Sequence, residues 1–181
     1  ARIMQPGCQA DYMPVFEGVQ GIRKSSALAA LGGAWFAVIH EKITDKDFFQ
    51  ALQGIWLIEV SEMSAFPMSQ MERIKSVITT RDDRFRGSYD ARTSRHPRQC
   101  VFAGTTNRDD WGHDDTGLRR FWPVKVRGIE LEELQVDRDQ LFAEAVSRYR
   151  QQEPWWTVPD VAATVQADRQ DYDDWAPKIL E

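Results

Sequence analysis

The sequence has few of the residues that build disulfide frameworks and metal centres. Its 181 residues include two isolated cysteines, Cys8 and Cys100, and three histidines that do not cluster. A zinc site needs closely spaced cysteine and histidine ligands, so this composition argues against one. Without a disulfide framework, we expect a cytosolic protein.

Long hydrophobic runs and an overall positive charge are also missing. No apolar run approaches the roughly 20 residues that span a bilayer, so we expect no membrane segment. Residues 1–14 show no hydrophobic segment of a signal peptide. The net charge is −5, so any contact with nucleic acid has to come from a local patch. Hydrophobic residues at 42% and charged residues at 28% predict a globular chain with a core.

Strand and helix patterns alternate along the chain, and this alternation predicts an α/β three-layer fold with a mostly parallel sheet flanked by helices. The predicted strands cover residues 12–17, 35–39, 54–60, 99–107 and 119–126, and the predicted helices cover 25–32, 45–53, 67–79 and 137–152. We predict a core domain over residues 1–153 and a C-terminal extension or linker over 154–181.

The stretch EGVQGIRKSS, residues 17–26, has the pattern of a phosphate-binding loop between a strand and a helix. Lys24 is placed to reach the β- and γ-phosphates, and Ser25 to hold Mg²⁺. Arg23 occupies the position where the pattern has its second glycine, and Gly21 is placed to supply part of the bend. The alternative interpretation is a glycine-containing turn. The predicted nucleotide-binding residues are Gly18, Gln20, Gly21, Ile22, Arg23, Lys24, Ser25 and Ser26.

Two buried strands end on polar residues that suit phosphate chemistry. Glu59 closes the apolar run 54–60, Glu62 follows it, and Asn107 ends the run 99–107. A carboxylate at such a position can accompany Mg²⁺ or orient a water, and an asparagine can hold that water or a phosphate oxygen. Each of the three, taken alone, is equally an ordinary solvated residue at a strand end.

Arg119 and Arg120 follow a glycine and lead into an aromatic strand. One of them is a candidate arginine finger, which would supply positive charge to a nucleotide in a neighbouring subunit. The alternative is a salt bridge to Asp114 or Asp115.

Residues 80–99 carry six arginines against three aspartates, together with Phe85 and Tyr89. Their position between two predicted core strands indicates an inserted hairpin or loop. Basic residues interleaved with aromatic ones suit single-stranded nucleic acid. An Arg–Asp network that packs onto its neighbours is the alternative.

Taken in order, the motifs EGVQGIRKSSALAAL, GIWLIEVSEM, IKSVITTRDDRFRGSY, PRQCVFAGTTN and TGLRRFWPV closely resemble the virulence-associated protein E family. The resemblance covers about residues 7–156. That family consists of phage- and plasmid-type ATPase domains, usually found behind a primase domain and related to superfamily 3 and AAA+ helicases.

The resemblance implies an ASCE/AAA+-like P-loop fold and an ATP-driven DNA motor, a helicase or translocase, in the replication of a mobile element. It implies ATP and Mg²⁺ as cofactors, a homo-hexameric ring on single-stranded or forked DNA, and a primase domain or partner outside this chain. A mobile element of this kind acts in the cytoplasm of a bacterial host.

Matched position by position, Lys24 and Ser25 resemble the residues that bind triphosphate and Mg²⁺. Glu59 and Glu62 resemble the acidic pair, with Glu59 at the metal and Glu62 as the catalytic base. Asn107 resembles the sensor, and Arg119 or Arg120 the finger. In that family, one segment leads into a DNA-contacting hairpin. The residues of this chain that resemble it, and are therefore expected to bind DNA, are Lys75, Arg84, Arg86, Arg92, Arg95 and Arg98.

Arg23 departs from the usual glycine and calls the rate of hydrolysis into question more than the fold. Three alternatives to a motor follow. They are a nucleotide-binding DNA-binding module with weak or no hydrolysis, a non-catalytic scaffold, and a small-molecule kinase.

Overall fold

The computed structural model of the protein describes residues 1–38, 46–87, 91–108, 111 and 119–157. Five sequence predictions fall outside these ranges: the end of the second strand at residue 39, the start of the second helix at residue 45, the role of Tyr89, the alternative partners Asp114 and Asp115, and the C-terminal extension beyond residue 157. Among the described residues, no helix combines the length and the apolar composition that crossing a bilayer requires.

Strands and helices alternate over the first part of the described chain, as the sequence predicts, and four strands in succession then precede the last helix. The strands are β1 (Met13–Glu17), β2 (Phe36–Val38), β3 (Leu57–Val60), β4 (Asp82–Phe85), β5 (Ser94–Pro97), β6 (Val101–Thr106) and β7 (Phe121–Lys125). The helices are α1 (Lys24–Gly32), α2 (Lys46–Ala51), α3 (Met68–Thr79) and α4 (Leu131–Arg150).

Five strands form one parallel sheet in the order β2-β3-β6-β1-β7. The register aligns Val15 of β1 and Val60 of β3 with the same residue of β6, Gly104. Strands β1, β3 and β6 therefore reach the carboxyl edge of the sheet together, and the loops that follow them meet there. The β4–β5 pair is a separate antiparallel hairpin.

Helices cover both faces of the sheet. Ile58 joins a buried cluster with Met71, Ile74 and Ile78 of α3, so one face packs against α3. Leu57, the preceding residue, points to the other face, where it lies close to Gly32 at the end of α1. Helix α4 packs on α1. The protein is therefore a mixed α/β fold with a parallel five-stranded sheet between helices, in agreement with the mostly parallel sheet that the sequence predicts.

Helix α4 is longer than the sequence predicted. It begins at Leu131, six residues before the predicted start at 137, and ends at Arg150. Glu132 and Glu133 lie in its first turn, and Arg148 and Arg150 in its last turn. These charges complement the helix dipole at both ends and favour the longer helix.

Candidate functional site

A cavity of about 430 Å³ lies at the carboxyl edge of the sheet, where β1, β3 and β6 end. Most of the residues that the sequence singled out for nucleotide chemistry line it. The lining residues are Gln20, Gly21, Arg23, Lys24, Ser25, Ser26, Ser61, Glu62, Thr105, Thr106 and Asn107. Gly18 and Ile22 belong to the loop that follows β1 but do not line the cavity. Glu59 is buried below the cavity, where it contacts the lining residue Ser25.

The loop between β1 and α1 depends on residues that allow unusual backbone geometry. A Cβ on Gly18 would lie 2.6 Å from the carbonyl oxygen of Val126, so this position has no room for a side chain. Gly21 has a φ of 87°, as expected for a residue that supplies part of the bend. Arg23 also adopts the left-handed region, at φ 67° and ψ 29°. The arginine therefore takes the glycine-like conformation itself, at a cost of about 1 kcal/mol or more.

The amino terminus of α1 opens onto this cavity. Neither an acidic residue in the first turn nor a side-chain cap at Arg23 satisfies its backbone N–H groups. A nine-residue helix presents a partial positive charge at this end, which favours an anion.

Lys24 is held by oxygen atoms around the loop. Its Nζ donates to the carbonyl oxygens of Gly18 at 2.5 Å and Val19 at 3.0 Å, and to Oδ1 of Asn107 at 3.0 Å. Burial lowers the pKa of Lys24, and the charge of Glu59 opposes that shift. The ammonium group is thus positioned in the cavity by neutral oxygens, which an anionic oxygen would outcompete.

Glu59 lies at the end of β3 and is almost completely buried, at 1% exposure. Its Oε1 accepts hydrogen bonds from Ser25 at 2.6 Å and from Thr105 at 2.7 Å. Its Oε2 is buried and has no hydrogen-bond partner among the described residues. A buried carboxylate oxygen without a partner beside a serine hydroxyl fits a hard cation such as Mg²⁺.

The protein supplies this site with few ligands. In the described parts of the chain, no group of three or more His, Cys, Asp or Glu residues could hold a metal ion. Mg²⁺ commonly takes one or two protein ligands and completes its shell with phosphate and water oxygens. Ser25 and Glu59 fit that pattern.

Glu62 lines the cavity from the other side and is exposed. Its backbone is left-handed, at φ 54° and ψ 46°, which is unfavourable for a glutamate. Strained residues of this kind cluster at functional sites, where the surrounding structure holds them in place.

Arg119 and Arg120 lie far from this cavity within the same chain. Met13 at the start of β1 pairs with Phe121, and the Met13 N–H donates to the Arg120 carbonyl at 2.8 Å. Both arginines are therefore at the amino edge of the sheet, whereas the cavity is at the carboxyl edge. Either arginine could act on a nucleotide only in a second copy of the chain.

The arginine-rich insert forms the β4–β5 hairpin, one of the two forms that the sequence allowed. Arg84 and Arg95 are directly opposite each other on its exposed face. Like charges in that arrangement repel, and Asp82 compensates in part through a 2.8 Å ion pair with Arg95. Arg86 and Arg92 are also exposed.

Two predicted DNA-contacting residues do not fit that role in this structure. Arg98 is 1% exposed and forms a buried ion pair with Asp83, and it also donates to the Val77 carbonyl. Lys75 is 4% exposed and donates to Glu72 at 2.9 Å. Both cations are already paired with oxygen atoms of the protein, as burial of a cation requires. The Arg–Asp network that the sequence offered as an alternative therefore accounts for Arg98.

Three contacts in this region were not predicted from the sequence. Thr105 anchors Glu59, and its hydroxyl in a buried strand was the available signal, because such a group needs a partner. Trp111 donates its indole N–H at 2.8 Å to Glu17, the residue that directly precedes the loop. Glu132 accepts from Arg23 at 3.2 Å, across 109 residues of sequence that no local pattern connects.

The family model of the virulence-associated protein E-like domain matches residues 1–174. The chain therefore belongs to the virulence-associated protein E-like family, and the resemblance seen in the sequence is confirmed. No curated protein matches the chain.

Two apo structures of the NrS-1 C-terminal region have a similar fold. One has a TM-score of 0.55 over 77% of this chain, and the other, an A form, has 0.51 over 93%. Identity is 16% in both comparisons. The chain spans only 38% and 35% of those two chains, so the likeness concerns the fold of one part of them.

Proposed function

We propose that the protein is the ATPase domain of a DNA motor, a helicase or translocase, in the replication of a phage or other mobile element. One observation carries the proposal: Lys24, Ser25, Glu59 and Asn107, from three separate segments, meet through hydrogen bonds at one cavity. Membership of the virulence-associated protein E-like family supports the replication context.

The strand order supports an ASCE/AAA+-like P-loop fold for this domain. Strand β6 lies between β1, which leads into the loop, and β3, which carries Glu59. Asn107, directly after β6, is therefore placed between the loop and the acidic residues. Ligands of open α/β sheets bind at this carboxyl edge.

Phosphate binding would rest on the loop, the helix terminus and Lys24. The backbone N–H groups at the start of α1 favour negative charge. In the proposal, Lys24 exchanges the carbonyl oxygens of Gly18 and Val19 for phosphate oxygens, because charge-assisted hydrogen bonds are the stronger ones. That exchange would return the pKa of Lys24 toward its usual range.

Mg²⁺ would be held beside Ser25 and Glu59, whose geometry fits it. It would supply charge neutralisation at the phosphates. Ser25 now donates to Glu59, so both groups are already oriented toward one point. Thr105 holds the carboxylate in place from behind.

Hydrolysis requires a group that orients and deprotonates water, and we assign this role to Glu62. It is exposed to the cavity, unlike Glu59, and so can reach a water molecule. Asn107 would position the same water or a terminal phosphate oxygen. General base catalysis contributes about 10²- to 10⁴-fold in rate.

The proposal extends to an assembly and to DNA. Arg119 or Arg120 would reach the nucleotide of a neighbouring subunit, and a head-to-tail contact that closes gives a ring, here a hexamer. Single-stranded or forked DNA would contact the exposed arginines of the hairpin, Arg84, Arg86, Arg92 and Arg95. A primase domain or partner would lie outside this chain.

Steady-state ATP hydrolysis, measured with and without single-stranded DNA, tests the motor. We expect turnover that DNA stimulates and that Lys24→Met removes, whereas Arg148→Met on the exposed face of α4 leaves turnover unchanged. Absence of turnover in both conditions, at concentrations where the protein assembles, would contradict a motor.

The second candidate is a nucleotide-binding DNA-binding module that hydrolyses ATP weakly or not at all. The left-handed backbone of Arg23, where a glycine is expected, favours it. This candidate predicts nucleotide binding without turnover, and binding that Glu62→Gln does not alter.

A further inference from the structure

The side chain of Arg23 is paired outside the loop in this structure. Its guanidinium Nη1 lies 3.2 Å from Oε1 of Glu132 in the first turn of α4. The two side chains are 53% and 79% exposed. The pair therefore connects the phosphate loop to the C-terminal helix through solvent-accessible atoms.

The backbone of Arg23 is fixed, but its side chain is not enclosed. Its carbonyl accepts from the Ala27 N–H at 2.9 Å, which ties the residue to the first turn of α1. Arg23 also lines the cavity where Lys24 and Ser25 meet. From one fixed Cα, the guanidinium can therefore reach either Glu132 or the cavity by rotation of its side chain.

The two partners differ in strength. An exposed ion pair between single side chains contributes little, since solvent screens it and ordering two long side chains costs entropy. A guanidinium and a phosphate can form two parallel charge-assisted hydrogen bonds, and arginine suits that geometry better than lysine. A triphosphate in the cavity would therefore compete successfully for Arg23.

We propose that Arg23 exchanges Glu132 for a phosphate when nucleotide binds, and that Glu132 acts as a positioning residue that lowers nucleotide affinity by holding Arg23 away. This inference rests on the proposed nucleotide site. Arg23, which stands where the loop pattern has a glycine, would then couple the binding of nucleotide to a contact with α4.

Calorimetric titration of the full chain with Mg·ATP, under conditions that prevent turnover, tests the exchange. Glu132→Gln should tighten binding by about two- to fivefold, the range expected for an exposed pair. Glu133→Gln is the matched control, since it removes the same charge from the same helical turn. It should change the affinity by much less.

The Arg23→Gln background separates the exchange from a general charge effect. Arg23→Gln should weaken binding, and adding Glu132→Gln to it should bring no further gain, because the competing partner is already gone. High salt should reduce the effect of Glu132→Gln in the wild-type background.

Two results would overturn the inference while leaving the proposed function intact. One is equal affinity in Glu132→Gln and Glu133→Gln, and the other is a gain from Glu132→Gln that persists without Arg23. Wild-type protein that does not bind Mg·ATP would overturn the proposed function and the exchange together, so the two failures are distinguishable.

Discussion

Glu62 is the residue on which hydrolysis depends in the proposed mechanism. It faces the cavity at the end of β3 with a strained left-handed backbone. Glu62→Gln keeps the shape of the side chain but removes the base. We therefore expect ATP turnover to fall about 10²-fold or more, with ATP affinity unchanged.

Turnover and equilibrium binding of the same Glu62→Gln preparation measure the two quantities. Glu144→Gln, an exposed carboxylate on α4, is the control and should keep full turnover. Equal turnover in Glu62→Gln and wild type would remove Glu62 as the base.

Cys100 makes the free energy of unfolding depend on pH, and this dependence does not involve the cavity. Burial raises the pKa of its thiol to about 11, above the ordinary value of 9.0. The folded state keeps this proton after the unfolded state has lost it, so stability is fully present below pH 9.0 and declines as pH rises toward about 11. At about pH 10.5 the loss is about 2 kcal/mol.

Urea unfolding of wild type and Cys100→Ala at pH 8 and pH 10.5 isolates this thiol, because the other titrating groups are common to both proteins. The stability advantage of wild type should shrink by about 2 kcal/mol at the higher pH. An advantage that stays constant would show that the thiol does not titrate as a buried group.

At the level of single residues, the sequence predicted those whose roles follow from local pattern. Lys24 and Ser25 follow a strand and open a helix, and Glu59 and Asn107 end apolar runs, so parallel pairing alone brings them to one edge. The partners of these residues could not be predicted. The contact of Arg23 with Glu132 depends on how α4 packs against α1, which no local spacing encodes.

Among the elements, the β4–β5 hairpin is the one that separates a DNA-binding role from a structural one. Its exposed face carries Arg84 opposite Arg95, while Arg98 beyond its end is buried with Asp83. The sequence predicted a basic insert. Because the pattern of charges does not report burial, it did not distinguish the exposed arginines from the buried one.

The double variant Arg84→Ala with Arg95→Ala tests the exposed face. We expect weaker binding to single-stranded DNA and a salt dependence of log K that is shallower by about 1.4, since each lost phosphate contact removes about 0.7. Fluorescence anisotropy at several salt concentrations measures both. The pair Arg148→Ala with Arg150→Ala removes the same charge from α4 and should leave the slope unchanged.

An unaltered slope in the Arg84 and Arg95 double variant would show that the hairpin is not part of the DNA interface.

Arg98→Ala should affect stability instead, because it leaves the carboxylate of Asp83 buried without its partner. Its expected effect is a loss of stability of about 3–5 kcal/mol.

For the whole molecule, the proposed arginine finger requires an assembly. The proposed nucleotide-binding cavity is at the carboxyl edge of the sheet, and Arg119 and Arg120 are at the amino edge. One chain therefore cannot bring both to one nucleotide, whereas a head-to-tail contact between two chains can.

Mixing of inactive variants tests this assembly. Lys24→Ala subunits keep their arginines, and subunits with Arg119→Ala and Arg120→Ala keep their cavity, so a mixture should recover part of the ATPase activity. A mixture of Lys24→Ala with Glu62→Gln should stay inactive, because both changes damage the same cavity. Failure of the first mixture, with mixed assemblies demonstrated, would argue against a finger that acts between subunits.

The sequence predicted the α/β class and the mostly parallel sheet, since buried strands alternate with helices along the chain. The predicted helix boundaries were less accurate where charged residues, rather than hydrophobic ones, determine where a helix begins. Helix α4 begins at Leu131, and the favourable interaction of Glu132 and Glu133 with the helix dipole is not part of a hydrophobic pattern.

The structure of the protein in complex with a non-hydrolysable ATP analogue and Mg²⁺ is the sharpest test of the proposed nucleotide site. We expect phosphate oxygens on the backbone of residues 20–25, Lys24 moved from the Gly18 carbonyl onto a phosphate, and Mg²⁺ beside Ser25 and Glu59. An analogue bound away from this cavity, or phosphates that leave Lys24 on its carbonyl partners, would contradict it.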